Sequence, residues 1–563
     1  MKQLLLLIAL LAIYGHSEEP SATTITLGLY SIRIIQSLTI TPLGSSAWMQ
    51  ACGTCSRITL HAPVHLDHVG RPIHFGGNLR IQPDDDVPPV QSSGIYTIAQ
   101  THRGLTVTLQ IPSERYVAAV LSAEAAPDEP LASLEALAIA ARTFALTNLQ
   151  RHHADGFDLC DSTHCQALRF TPVRSEIAEA VRRTAGITLW SATHRAHIYY
   201  TQNCGGISEA ASALWPTEHA PYLTSHTDSY CTRRDAASWQ TSIPISDLNK
   251  IAAKQHWNLP TPITGVRIVQ HTTSGRAKLL EISSPARTVT ISAGSLHFAI
   301  NRALGWNRIR GDLYTIALTN QSLQFTGHGY GHGVGLCQAG AFQMATEHHS
   351  AAEILNFYFP NTRLGLTSSG GLWHDEKIGT VTLRAIQADP VLTKDADLAW
   401  HQALSLWGTS INTPQPIITI APTTELFRQL TNGPGHLLAI TRGSQVTLQP
   451  ISVLKRYAPV EPLLLHELLH TLIEAQSSDK APLWLREGLA EALANIHSAY
   501  VPPNSSIATI EQELAAPSSL ANDQHAHLES AAIVRKLGQT YSLTVMRQWL
   551  RMGVPTQVME TLH

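Results

Sequence analysis

The chain has 563 residues, 44% of them hydrophobic and 14% charged, with 39 Lys and Arg against 42 Asp and Glu. That length leaves room for three or four domains, and the composition is that of a globular chain with real cores. A net charge of −3 supplies no electrostatic argument for nucleic acid or acidic lipid as a partner. The 29 histidines are the unusual count, and they make any single histidine motif easier to meet by chance.

Residues 1–19 read as a secretory signal peptide: Lys2, an apolar run from Leu4 to Tyr14, then the small residues Gly15 and Ser17 before two acids. The run is too short to span a bilayer, and a retained amphipathic anchor is the alternative. No other segment approaches the length of a membrane helix, so the expectation is a soluble protein outside the cytoplasm, secreted or periplasmic. Seven cysteines are an odd number for an oxidising compartment, so at least one is free, bound to metal or paired in trans. Cys204 and Cys231 are expected to close a disulfide across a loop. Cys52 and Cys55 form a CxxC, suited to a tight disulfide, half a metal site or a redox pair; without a matching second pair or a thioredoxin-like context, the disulfide is favoured.

From residue 20 to 110, short alternating runs such as TITLGLYSIRII and SLTITPL are cut by clusters like QPDDDVPP, which predicts a β-rich lobe. Pro112 and Ser113 then open a helix with Tyr116, Val117, Val120 and Leu121 on one face, placing Glu124 at its end. Asp128, Glu129 and Pro130 start a second helix, whose core spacing of Leu131, Leu134, Leu137, Ala141, Phe144 and Ala145 leaves Arg142 to be explained. FDLCDSTHCQAL puts Cys160, His164 and Cys165 within six residues, a density of thiol and imidazole that suits tetrahedral zinc. A disulfide from Cys160 to another cysteine is the rival. YYTQNCGG reads as a strand ending in a tight turn, with Tyr199 and Tyr200 either stacking on sugar or packing in a core. From Phe325 to Ala345, FTGHGYGHGVGLCQAGAFQMA alternates Gly327, Gly329, Gly331, Gly333 and Gly335 with His328, Tyr330 and His332. Such a run lets backbone turn tightly or lie against a ligand or another chain segment. From Cys337 the pattern turns helical.

GHGYGHGVGLCQAGA resembles the GHGxGMSQxGA signature of the SpoIID/LytB proteins of bacterial cell-wall remodelling. Three more stretches follow the family's order: SERYVAAVLSAEAAPDEPLASLEALAIAARTFAL, YYTQNCGGISEAASALWP and AAEILNFYFPNT. The resemblance covers roughly residues 95 to 365, and residues 111–370 are expected to form a mixed α/β core. It implies lytic transglycosylation of peptidoglycan glycan strands, with Glu124 as the catalytic acid and later base. One carboxyl suffices where ordinary glycosidases need two, provided burial keeps it protonated near neutral pH. Arg142, in AARTFA, would be a groove residue holding a substrate oxygen or orienting the acid, and the turn after Tyr200 would line the groove. His328 and His332 would bind sugar or peptide, neither with a proton-transfer role. Leu137 stands where the family usually has glutamine, so a polar contact in that helix is expected to be missing. The resemblance also implies a structural zinc on Cys160, His164 and Cys165, with His153 or His152 as the fourth ligand.

After GLTSSGGL, residues 365–372, a linker is expected, and residues 375–563 form a separate, mostly helical part. In LLLHELLHTLIEAQSSDKAPLWLREGLAEALA, His466 and His470 share one helix face beside Glu467, the HExxH arrangement of zinc metalloproteases. A second helix carries Glu487 and Glu491. This resembles the gluzincins, particularly the peptidase MA-like proteins with their WLxEGLAE stretch. The resemblance implies a zincin-like domain with zinc on His466, His470 and Glu487, water activation by Glu467, and Glu491 steadying a ligand histidine. Overall an α+β chain is expected, acting on glycan strands and on a protein or peptide substrate. The competing readings are a non-catalytic glycan-binding amidase enhancer and a wall-docked zinc protease.

Overall fold

The computed structural model describes residues 24–562 except 53–54, 85–86, 236, 320, 409–412, 432, 458, 495–504 and 517–518. The expected signal segment, 1–19, lies outside the described residues. Among those described, no helix is long and apolar enough to cross a membrane. The chain is a mixture of helices and sheets, and its buried apolar residues gather into three cores.

The first core does not divide near residue 110. Ile73–Pro83, Val90–Thr101 and Gly104–Pro112 form an antiparallel meander, and Thr24–Leu29 adds to its edge beside 104–112. Alternation drives Ile25, Leu27, Ile98 and Leu109 inward. The last strand runs directly into the helix Ser113–Glu124, and both this helix and Leu131–Thr147 pack into the same core. Leu159–Cys160 then returns to pair in parallel with Thr24–Leu29, matching Leu27 with Leu159 and Gly28 with Cys160. The expected lobe is therefore one face of the same packed body, because its sheet has no other apolar layer to cover it. Leu137 is 2% exposed; the place held by glutamine in the resembling family is here filled by core.

The second core belongs to an insertion that sequence patterning leaves undistinguished. Trp239–Pro244 pairs with Ser322–Gly327, which pairs in turn with Tyr314–Thr319. A three-stranded sheet, Gly265–His271, Ala277–Ser283 and Thr288–Ser292, and the helices Ile245–Lys254 and Ala293–Leu304 close over Ile243, Leu280, Leu296 and Phe325.

The third core runs from Val381 to Val558. It begins with a five-stranded mixed sheet, whose outer strand Ala439–Arg442 is antiparallel to Gln445–Leu448. The helices Pro390–Trp407, Val460–Glu474, Leu483–Ala494 and Leu520–Gly538 pack around it. The sheet half of this region was not expected from the sequence. The stretch expected to be a linker is partly built in: Leu366 is buried in the first core, and the Trp373 indole donates to the Ala185 carbonyl at 2.8 Å. The helix Thr424–Thr431 also reaches across, with Leu426 in the first core and Glu425 paired with Arg195 at 2.9 Å.

Cys52 and Cys55 are disulfide-bonded. Cys204 and Cys231 are not: both are free and buried beside a third thiol, Cys337. The expected clip fails because the fold brings three sulfurs together rather than two.

Candidate functional site

Glu124 is the last residue of its helix, and it lines a cleft of about 640 Å³ together with Glu129, Arg234, Arg310, Tyr330 and Gln338. That volume is ordinary for a ligand site. Burial lifts the Glu124 carboxyl above its usual value, opposed only by hydrogen bonds from the Gln338 side chain and the Ala167 amide. No cation is among the groups acting on it, so burial wins. Glu129 is lifted by burial as well, but its two oxygens are engaged by the Ser133 hydroxyl and the Ala126 amide. Of these two raised carboxyls, Glu124 is the one suited to give up a proton.

The glycine run forms the wall beside it. Its backbone lies directly against residues 200–209: Tyr200–Thr201 pairs with Leu336–Cys337, Asn203 and Tyr330 exchange both amide bonds, and the Glu209 amide donates to the Gly333 carbonyl. A side chain at Gly333 would meet the Arg276 guanidinium at 2.1 Å, and φ there is +80°. The run is therefore shaped by another chain segment, and Tyr330 is its side chain in the cleft.

The expected substrate residues fare differently. Arg142 is wholly buried; its guanidinium is held by both oxygens of Glu114 and by the carbonyls of Ile187 and Ala138. With its donors spent inside the core it is no groove residue, a correction to the expectation. His332 also turns inward: its Nδ1 accepts from the Val334 amide at 3.0 Å, its ring meets Trp215 edge-on, and burial followed by the nearby Arg276 pushes it down to about 4. It does not line the cleft. His328 is exposed at the rim, 3.1 Å from Ser238, a cleft residue. Tyr200 does not line the cleft but lies close enough to Glu124 to feel its charge, and its hydroxyl accepts from Gln166 at 3.0 Å. Gln338, Arg234 and Arg310 were not singled out from sequence. Gln338 stands within the glycine-run signature and could have been; the arginines carried no motif.

Behind the acid lies the Cys/His cluster. His152, Cys160, His164 and Cys165 bring one ligand atom each to within 4.8 Å of one another. The sulfurs are 3.0 Å apart, His152 Nε2 is 3.2 Å from His164 Nδ1, and the Asp155 carboxylate fixes the other nitrogen of His152 at 3.0 Å. His152, not His153, completes the set. Two thiols and two imidazoles are a donor set fit for structural zinc. The loop continues through Gln166, bonded to Tyr116 and Tyr200, to the Ala167 amide that faces Glu124. What holds this loop also holds the acid.

The third core carries the other cluster. His466 and His470, one turn apart on Val460–Glu474, have Nε2 atoms 3.0 Å apart. Glu487 Oε2, on Leu483–Ala494, is 2.9 Å from His470 Nε2 and 3.9 Å from His466 Nε2. Glu491 Oε2 lies 3.3 Å from His466 Nδ1, off the line of a straight hydrogen bond. His527, on Leu520–Gly538, was missed from sequence; its Nε2 is 2.9 Å from Glu487 Oε2, and its Nδ1 faces the Asp523 carbonyl at 2.8 Å. Burial pushes Glu487 up, but His470 and His527 outweigh it and hold the carboxylate well below its usual range. Two imidazoles on one helix face with a carboxylate within 2.9 and 3.9 Å of them make a donor set fit for a zinc ion. Glu467 accepts from the hydroxyl of Thr441, on the outer strand of the sheet.

Comparison with known proteins agrees with the front of this arrangement. Residues 101–190 match the SpoIID family, described as stage II sporulation protein, and residues 231–335, which contain the inserted core, match a domain of unknown function, DUF8618. An uncharacterised protein of Brachyspira hyodysenteriae is 28% identical over 258 residues, 45% of this chain and 67% of that protein. The amidase enhancer of Bacillus subtilis is 24% identical over 274 residues, 42% of this chain and only 38% of its own length. Residues 101–190 are thus similar to the SpoIID family, and they supply Glu124 and Glu129 to the cleft, whose other walls come from within residues 202–203, 234–238, 307–310 and 330–342.

Proposed function

We propose that the front of the chain acts on peptidoglycan and cleaves its glycan strand by lytic transglycosylation, with Glu124 as the only acid and base. The observation that supports this most is a cleft carboxyl raised by burial, with no ion pair to a cation among the groups that shift it. Protonated Glu124 gives its proton to the glycosidic oxygen as the bond from the muramic carbon breaks. The muramic hydroxyl closes onto that carbon, and the Glu124 carboxylate takes the hydroxyl proton, so the acid is restored and no water is consumed. Arg234 and Arg310 supply positive charge for the carboxylates that muramic acid and its stem peptides carry. The test is digestion of purified peptidoglycan, intact and stripped of stem peptides, by the protein and by Glu124→Gln, with products read by mass spectrometry. Anhydro-muramic ends that vanish in the variant support the reading; none from the wild-type protein on either substrate would sink it.

The third core reads as a zinc peptidase. His466, His470 and Glu487 would hold the metal and Glu491 would orient His466. Zinc, when bound, supplies a Lewis acid that makes water a nucleophile near neutral pH. Glu467 would take the proton from that water, and Thr441 keeps its carboxylate in place. The outer strand Ala439–Arg442 offers an edge to which an extended peptide can add. His527 would either fill a fourth ligand position or face the peptide carbonyl, and metal affinity of His527→Ala separates the two.

A second reading makes the front module a binding partner of cell-wall amidases, supported by its likeness to a protein named amidase enhancer. Glycan binding that survives in Glu124→Gln while no wild-type product forms would favour it.

A further inference from the structure

Three buried thiols lie outside both histidine clusters. Cys204 stands in the turn after Tyr200–Thr201, Cys231 in the short helix Ser229–Arg234, and Cys337 at the cap of Gln338–Thr346. Asp228 completes the group: all four residues are 0% exposed, and their ligand atoms lie within 4.8 Å of one another. A tetrahedral zinc with sulfur at ~2.3 Å sets neighbouring sulfurs about 3.8 Å apart, a spacing inside that limit.

The cluster combines thiols that receive backbone amides with thiols that donate, Cys204 Sγ to Asp228 at 3.3 Å and Cys231 Sγ to Asn203 Oδ1 at 3.1 Å. Cys337 Sγ receives the amides of Cys204 at 3.2 Å and Gly340 at 3.4 Å. Cys231 faces the amides of Gly205 and Gly206. Asp228 is aimed by the Tyr358 hydroxyl at 2.8 Å and the Cys231 amide at 2.9 Å, with Cys204 Sγ 3.3 Å away. Among the described residues no Lys or Arg forms an ion pair with it, although a buried carboxylate calls for a cation. Arg276, 3% exposed, donates to the Cys204 carbonyl at 2.7 Å and offsets the negative charge of the cluster from one side. Adding a side chain at Gly340 would drive into Tyr358 and Asp228. A disulfide would use two of these sulfurs and strand the third beside a buried carboxylate; one metal uses all four.

We propose that Cys204, Cys231, Cys337 and Asp228 form a second structural zinc site of the front module, distinct from the Cys/His cluster. Binding displaces the thiol protons as the ligands close on the ion. The site would clamp the neck of the insertion, which leaves the main core just after Cys231 and rejoins it just before Cys337. It would also brace the cleft, because Asn203, Arg234 and Gln338 each stand next to a ligand or one turn from it. The inference does not depend on what the cleft cleaves.

The test uses the full chain. Metal content is measured for the wild-type protein and for Cys337→Ser, and the three thiols are mapped by alkylation and mass spectrometry with and without a strong chelator. The resembling signature has serine at this position, and a serine hydroxyl can cap Gly340 as the thiol does, so this variant is the one expected to fold. The expected result is a loss of about one zinc per chain in the variant, and alkylation of Cys204, Cys231 and Cys337 in the wild type only after chelation. Unchanged zinc in a folded Cys337→Ser would overturn the proposal. So would a disulfide joining any two of the three, or alkylation that ignores the chelator; these readings on the wild-type protein decide the matter even if the variant does not fold.

Discussion

Two partly buried glutamates of this chain have been driven in opposite directions. Glu124 sits at a helix end with only the Gln338 side chain and the Ala167 amide opposing burial, which raises its carboxyl. Glu487 is also enclosed, yet His470 and His527 hold it well below its usual range. Burial raises the cost of a charge and also strengthens its attraction to an opposite one, so the sign depends on what else is buried with it. The first arrangement favours the protonated carboxyl; the second favours the carboxylate, already paired with His470 and His527.

The sharpest way to break this contrast is to disable each site in turn. Glu124→Gln is expected to cut formation of anhydro ends by about a hundredfold or more, with peptide cleavage unchanged; a mild loss would mean that another group supplies the proton. His470→Ala should abolish peptide cleavage and leave glycan cleavage intact, as assayed on the same preparation. A chelator is a blunter tool, because stripping the Cys/His cluster is expected to loosen the Ala167 amide and slow the glycan reaction too.

Arg142→Ala is expected to lower stability by about 3 kcal/mol, since Glu114 loses its partner in a partly buried setting. Denaturant unfolding measures this, and a variant that keeps its stability but loses substrate affinity would restore Arg142 to the groove. At the Cys/His cluster, Asp155→Ala should weaken zinc affinity about 10- to 100-fold by freeing the His152 ring, as read by competition with a zinc indicator. No change would mean that Asp155 does not steer the ring.

The smallest effect is the pH dependence of stability. Because Glu124 is raised above 4.5 in the folded state, the folded chain keeps a proton that the unfolded chain releases just above that pH. Stability therefore falls as pH rises from 4.5 through the raised value, and no further beyond it. Glu124→Gln should flatten this part of the profile and melt slightly higher at neutral pH, a gain that accompanies lost function. Identical slopes for both proteins in thermal melts across the window would show that Glu124 is not raised.

Local pattern was enough to find the pieces whose chemistry lies on one or two adjoining elements. The helix face of Tyr116, Val117, Val120 and Leu121 placed Glu124, and spacing of one turn placed His466, Glu467 and His470. The Cys160, His164 and Cys165 knuckle sits within six residues, and CxxC spacing sufficed for Cys52 and Cys55. Periodicity and short loops carry such features because neighbours in sequence are neighbours in space.

Everything that joins distant segments was decided by the tertiary structure. Nothing local tells Arg142 from a groove arginine: the spacing that puts it on the second helix is the same whether Glu114 or solvent faces it. His527 lies 40 residues beyond Glu487 by number, and only the packing of Leu520–Gly538 on Leu483–Ala494 delivers it to the site. Cys337 lies beyond the inserted core that separates it from Cys231, so the sequence offers Cys204 and Cys231 as a loop-closing pair and hides the third sulfur. The residues and their local geometry were thus set by the sequence read in short windows. Their partners depended on long-range closure of the three cores, whose specificity comes from apolar packing summed over the whole fold rather than from any motif.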